Sequence, residues 1–158
     1  FVIFIDSFAF SKCDELPGVT LPQNMWKIRE RACWESKKLK SMVFGSSVVR
    51  IEKDAFSSCE SLSEIKFMDG TRIRRNPSGT VSQVRDNRTL HMCEFAFANC
   101  KNLKKIVCEK MTPPEIENQN AFDQSTYDNA TLVLKACDKE AYLNNPIWRR
   151  FYHIETVE

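Results

Sequence analysis

Little in this 158-residue sequence points to reaction chemistry. It has four glycines and two histidines, and it contains no GxSxG, HExxH, glycine-rich phosphate loop or EF-hand pattern. Four glycines leave few to build a phosphate cradle. Around His91 and His153 no carboxylate or cysteine stands at a metal-ligand spacing, so both read as surface or strand-filling residues. The acids Glu52, Asp54, Glu60 and Glu64 are spread over polar positions and read as a solvated face. No catalytic set can be named, and no metal or cofactor is expected. No apolar run reaches the roughly 18 residues that span a bilayer. The net charge of +2 predicts neither a nucleic-acid partner nor a membrane-surface partner.

The remaining composition is ordinary. Apolar content of 42% and charged content of 28% suit a globular domain, and a chain of this length is most simply one domain, 1–158. The opening FVIFI is apolar, but it lacks a basic n-region, is followed by Asp6 and already stands in repeat register. It reads as an exposed start or a processed end, not a signal peptide. Any targeting segment would then lie upstream.

The repeat organises the chain. Ile51, Ala55, Cys59, Leu62, Ile65 and Phe67 fall, 23 residues earlier, on Ile28, Ala32, Ser36, Leu39, Met42 and Phe44. A further 23 residues back they fall on Ile5, Ala9, Cys13, Leu16, Val19 and Leu21. Shifted forward by 41 they fall on Met92, Ala96, Cys100, Leu103, Ile106 and Cys108, so an insertion of 18 residues interrupts the period. A looser fifth copy holds Ile116, Ala121, Phe122, Leu132 and Leu134. The copies span about 1–21, 26–44, 48–67, 90–108 and 114–134. In each, L-x-x-I-x-F alternates as a short half-buried strand should. I-x-x-x-A-F suits an extended piece leading into a tight turn, and small polar segments such as SSCES join the two. One such unit cannot bury its apolar face alone, whereas stacked units can.

The seven cysteines follow the repeat. Cys13, Cys59 and Cys100 share one position, and Cys33 and Cys108 stand where other copies carry Phe. No CxxC pair occurs and the count is odd, which fits small buried hydrophobes with free thiols. The competing reading is a bridge between stacked copies, with Cys59–Cys100 the pair in question, since neighbouring rungs lie roughly 4.8 Å apart.

The pattern I-x-x-x-A-F-x-x-C-x-x-L-x-x-I-x-F, marked above all by AFSKCDEL, AFSSCESL and AFANCKNL, resembles the BspA-type leucine-rich repeat of bacterial surface and secreted proteins. The resemblance covers nearly the whole chain apart from the insertion, and Cys33 and Ser36 are departures from it. It implies an α/β-type repeat solenoid made mainly of short β-strands, right-handed and curved, with two strands per turn. It also implies a short C-terminal capping helix and a final strand. The run from Leu132 to Val157 resembles that closing segment, with Tyr142, Trp148 and Phe151 as the core of a cap spanning 135–158. Asp138 is expected to N-cap its helix, with Ala141 and Tyr142 on the packing side. Trp26 and Trp34 are expected near the N-terminal edge, exposed if earlier repeats have been removed.

Two candidate surfaces follow. The insertion, 69–88, carries turn signals at Asp69–Gly70 and Asn76–Gly79 and alternates over Thr71–Arg74 and Thr80–Arg85, which predicts a projecting β-hairpin. Arg72, Arg74, Arg75, Arg85 and Arg88 outnumber Asp69 and Asp86 there. The hairpin reads as a solvated excursion, a phosphate or acidic-glycan site, or a contact for another protein chain. The second surface is the outward column of the strands, Thr20, Val43, Lys66, Val107 and Val133, beside Gly18, Ser41, Glu64, Lys105 and Thr131. Sequons at Asn87 and Asn129 carry no meaning in a bacterial protein. What the resemblance implies is a non-enzymatic binding module of a secreted or cell-surface protein that engages host or bacterial proteins or glycans. The alternative is a structural spacer or assembly domain of a longer protein, with no ligand of its own.

Overall fold

A computed structural model describes residues 3–85 and 88–158; the side chains of residues 72–74 lie outside that description. The chain stacks as coils that give short strands to two parallel sheets, the first coil to the first sheet only. The first sheet orders β1 (Ile3–Ile5), β2 (Met25–Ile28), β4 (Arg50–Ile51), β8 (His91–Met92) and β10 (Glu115–Ile116). The second orders β3 (Ser41–Phe44), β5 (Glu64–Phe67), β9 (Lys105–Cys108), β11 (Thr131–Lys135) and β12 (His153–Val157). The register keeps equivalent residues paired, as in Met42–Ile65–Ile106–Leu132.

The Ala–Phe turn between the two strands of a coil depends on two residues in the left-handed region. Phe8 and Lys12, Arg31 and Glu35, Asp54 and Ser58, and Phe95 and Asn99 all have φ between 53° and 62°. None is glycine, so apart from Asp54 and Asn99, whose residue types tolerate this region, each carries a cost of about 1–2 kcal/mol. Hydrogen bonds between coils hold them there. Arg31, Cys33 and Glu35 donate their N–H groups to the carbonyls of Lys53, Ala55 and Ser57 in the next coil. From the second coil on, the Ala methyl is buried against the stack, and the phenyl rings of Phe56, Phe97 and Phe122 stack at 5.3 and 5.4 Å.

The serine-or-cysteine position after the turn explains its own chemistry. Cys59 Sγ donates to Cys33 O (3.1 Å) and Cys100 Sγ to Phe56 O (3.2 Å). Ser36 Oγ donates to Phe10 O in the same way. Each side chain thus satisfies a carbonyl of the preceding coil, so Ser36 is not a defect in its copy but a second residue able to make the same bond. All seven cysteines are free, and Cys59 and Cys100 are spent on separate carbonyls.

The insertion forms an antiparallel hairpin of β6 (Thr71–Arg75) and β7 (Val81–Arg85), paired from Thr71–Arg85 to Arg75–Val81. Its boundaries differ from the expected ones by one residue. Asn76 Oδ1 takes the Thr80 N–H and so places Thr80 in the turn; Gly79 supplies the positive φ of 81°. Asp86 and the Asn87 sequon lie outside the described residues.

Three expectations need correction. In the first copy the strand around Val19 does not form, and its sheet contact is a single bridge, Gly18–Ser41. Pro17, Gly18 and Pro22 are poor strand formers. Ala141 is exposed, so Tyr142 alone packs inward from the short helix α2 (Lys139–Asn144). Asp138 makes no side-chain cap to that helix, because its carboxylate is engaged elsewhere, as shown below.

The end of the stack departs from the repeat for a visible reason. The fifth coil keeps Ala121 and Phe122 but replaces the left-handed turn by a 3-10 turn at Gln119–Ala121 and a helix, α1 (Gln124–Asn129). The Asp123 carboxylate accepts the Asn99 N–H at 2.7 Å, where an earlier coil would offer a backbone carbonyl. Tyr127 from α1 joins Trp148 and Phe151 over Phe122, and Tyr142 packs on Trp148, all buried. The cap's polar atoms are satisfied: Trp148 Nε1 donates to Pro114 O (2.7 Å), Tyr142 Oη to Lys110 O (2.8 Å) and Tyr127 Oη to Gln119 O (3.0 Å).

Candidate functional site

Parallel pairing in the second sheet aligns the outward side chains in two columns, Ser41–Glu64–Lys105–Thr131–His153 and Val43–Lys66–Val107–Val133–Glu155. The strands fix the spacing of these side chains along the face. The face is largely self-neutralised: Lys105 reaches Glu64 at 3.6 Å and Lys66 reaches Glu109 at 2.7 Å. Of the five residues of the outward column read from the sequence, Thr20 lies outside any strand, Val43 is 47% exposed, and Lys66 and Val107 are half-buried. Val133 is a correction, since it is only 8% exposed. It lies on the strand next to the sheet's edge, flanked by Val107 and Glu155 on the two neighbouring strands.

Arg85 is a second correction to the arginine surface. Its Nε meets Asp69 Oδ2, Nη1 and Nη2 meet the two Asp138 oxygens at 3.1 and 2.8 Å, and Nη2 also donates to Glu109 O at 3.0 Å. Lys135 Nζ adds a contact to Asp69 Oδ2 at 3.4 Å. Asp138 is only 5% exposed. This fork, made to two carboxylates and a carbonyl, ties the hairpin's last strand residue to the start of the cap. It is a structural clamp. Hydrogen bonding to Asp138, and to Asp69 beyond it, pushes the Arg85 guanidinium up from an already high value. Burial works to raise the Asp69 carboxyl, but Arg85, the Gly70 N–H and Lys135 outweigh it and hold the carboxyl below its ordinary range. Arg75 is exposed on β6, and Arg72 and Arg74 lie on the same strand with side chains outside the description.

Val43 and Arg88 are brought together by a groove that the sequence did not reveal. Where the first copy turns away from β3 after Gly18, it leaves a cavity of about 610 Å³ lined by Pro17, Val19, Leu21, Val43 and Met68, among others. A second cavity of about 450 Å³ shares Gln23, Gly45 and Met68 with it and continues past Asp69 and Gly70 to Arg88. The groove thus runs from the N-terminal edge of the sheet to the base of the hairpin, apolar at one end and polar at the other. Met68, 37% exposed, stands at the junction. Its position directly after a strand ending in a buried Phe was the one available signal for it.

His91 Nδ1 lies 2.8 Å from Glu115, its neighbour on the adjacent strand. Among the described residues no group of three or more His, Cys, Asp and Glu could hold a metal ion. No helix among them is long and apolar enough to cross a membrane. Burial pushes the Cys59 thiol up to about 12, and it raises Cys33, Cys100 and Cys108 strongly as well; such thiols are poor nucleophiles.

The family model for the BspA type leucine rich repeat region matches six copies in this chain, over residues 2–77 and 82–148. No curated protein matches it.

Proposed function

The chain belongs to the BspA-type leucine-rich repeat family, and from that premise we propose that it is a non-enzymatic interaction module of a bacterial secreted or cell-surface protein. The family's repeats are those of a protein-interaction module, and its usual setting supplies the location. On this reading 1–158 is one domain that engages a host or bacterial protein or glycan. It winds as a right-handed curved solenoid, since parallel strands of one sheet are joined right-handedly in about 98% of cases.

The observation that carries the reading is the groove beside Val43 and Met68. It joins an exposed apolar strip to the polar base of the hairpin. A peptide or sugar with one apolar and one polar side fits such a lining. Arg75, farther out on the hairpin, is the next candidate contact.

The test is a binding screen at physiological salt against matrix proteins, mucins and acidic glycans, run with Val43→Glu and Arg75→Glu beside the parent chain. Both positions are exposed, so both variants should fold. Binding lost at least tenfold in Val43→Glu and kept in Arg75→Glu is the expected result. Loss confined to Arg75→Glu would move the contact to the hairpin. A folded chain that binds nothing would leave the spacer reading in its place.

A further inference from the structure

The segments that lead from the Ala–Phe turns to the second sheet are stitched to one another along one edge of the stack. Ser61 donates its N–H to Lys37 O at 3.1 Å, and the Asn102 side-chain amide donates to Glu60 O at 2.7 Å. Ser63 and Lys104 donate their N–H groups to Lys40 O and Ser63 O at 2.9 and 3.0 Å. The stitching changes after the fourth coil. The fifth coil puts the helix α1 where its predecessors have a turn, and no donor among the described residues reaches Lys101 O. A cleft of about 400 Å³ opens there. Leu103 and Thr126, both buried, line it, and Lys101, Lys104, Ser125 and Asn129 stand exposed around it.

The charge around the cleft is one-sided. Lys12, Lys27, Lys38, Lys53, Lys66 and Lys105 each meet a carboxylate. Lys101 and Lys104 meet none among the described residues, and neither do Lys37 and Lys40 on the same edge. The nearby acids are engaged: Asp123 with the Asn99 N–H, Asp128 with the Gln124 amide and Glu64 with Lys105. Glu60, at the repeat position of Lys101 in the preceding coil, pairs with neither Lys37 nor Lys101. Stacking sets Lys40, Ser63 and Lys104 on successive rungs, so the two lysine backbones stand roughly 10 Å apart.

We propose that this cleft binds a sulfate group of a sulfated glycan chain. Lys101 and Lys104 supply the charge, Ser125 and Asn129 supply neutral donors, and Lys40 receives a further sulfate along the chain. The lining selects the group. Lysine ammoniums are point charges with rotatable donors and suit a tetrahedral oxyanion, whereas a planar carboxylate is best met by an arginine fork, which the lining lacks. No aromatic ring lines the cleft to stack a nucleobase. The lysine row suits a chain that repeats its charge, not a single ion. The cleft shares no lining residue with the groove beside Val43 and Met68, so it stands or falls separately.

The test is titration calorimetry of the full chain with a heparin hexasaccharide at physiological salt. Lys101→Gln combined with Lys104→Gln is compared with Arg75→Gln combined with Lys139→Gln, which removes the same charge from exposed side chains elsewhere. All four positions are exposed, so both double variants should keep the parent's urea midpoint. The first pair is expected to weaken binding about tenfold or more and Ser125→Ala about threefold, because each removes a donor to a charged group. The second pair and Val43→Ser should leave the affinity unchanged. Equal losses in the two double variants would overturn the proposal, as general attraction or a hairpin contact would then suffice. So would unchanged affinity in the Lys101 and Lys104 variant, no binding of heparin by the parent chain, or equally tight binding of desulfated heparin or single-stranded DNA. Loss confined to Val43→Ser would assign the glycan to the groove and remove this site, while leaving the groove reading in place.

Discussion

Phe10 and Phe122 hold the same repeat position at opposite ends of the stack and meet opposite surroundings. Phe122 is covered by Tyr127, Trp148 and Phe151, drawn from a helix and a closing segment that fold back over it. Phe10 has a coil on one side only and stays half-buried. The polar groups differ likewise. At the C-terminal end the leftover Asn99 N–H finds the Asp123 carboxylate, while at the N-terminal end the Ser7 and Ala9 carbonyls find no N–H among the described residues. A repeat unit does not bury itself. Its neighbour does, and where the neighbour is not another repeat, it must supply both apolar cover and a substitute hydrogen-bond partner.

The sharpest break of this comparison is Trp148→Ala set against Phe8→Ala. Trp148 is fully buried and its indole N–H is bonded to Pro114 O, so its truncation should cost about 3–5 kcal/mol in urea unfolding. Phe8, exposed at the other end, should cost no more than about 0.5 kcal/mol. Comparable losses at both ends would mean that the cap contributes no more than the open edge.

Next in size is the clamp between hairpin and cap. Arg85→Ala should cost about 1–3 kcal/mol, because it strands the buried Asp138 carboxylate, and amide exchange in β6 and β7 should rise with it. Acid should mimic the change. The Asp69 carboxyl is held below its ordinary value, so its contribution is complete above about pH 4 and is lost as pH falls further, through the folded-state value. Hairpin exchange that ignores both Arg85→Ala and acid would show the hairpin held by something other than these charges.

The smallest effect concerns the side-chain donors. Cys59→Val should cost about 1 kcal/mol by leaving Cys33 O without its cross-coil donor, whereas Cys59→Ser should recover part of it, as Ser36 does naturally. Cys13→Val should be near neutral, since that thiol has no coil to reach. Urea midpoints of the three variants decide the point; equal losses for Cys13→Val and Cys59→Val would remove the distinction between the ends.

Much of this was legible in the residues. Recurrence of Ile, Ala, Leu and Phe at a fixed step identifies which side chains face inward, because each coil imposes the same local geometry on the same positions. The hairpin was equally local, written in Asn76–Gly79 and the alternation around it. Local pattern could not reach the helix α1, because Gln124–Asn129 carries no apolar stripe; Tyr127 is its one large inward side chain. It also misassigned Val133, since alternation tells inward from outward but not how exposed an outward valine stays between its neighbouring strands.

The groove shows where that limit lies. Val43, Met68 and Arg88 are each unremarkable in sequence, and they come to line one continuous groove because the first copy peels from the sheet after Gly18. The step of the repeat and the inward columns follow from chain-local chemistry, in which a residue's role depends on neighbours a few positions away; the closing aromatic set was legible only through the family resemblance. The partners of Arg85 do not. Asp138 lies 53 residues beyond it, and the guanidinium meets that carboxylate, not solvent, because stacking sets the hairpin's return strand beside the start of the cap. An unmatched charge is visible in a sequence; what neutralises it is a matter of three-dimensional distance.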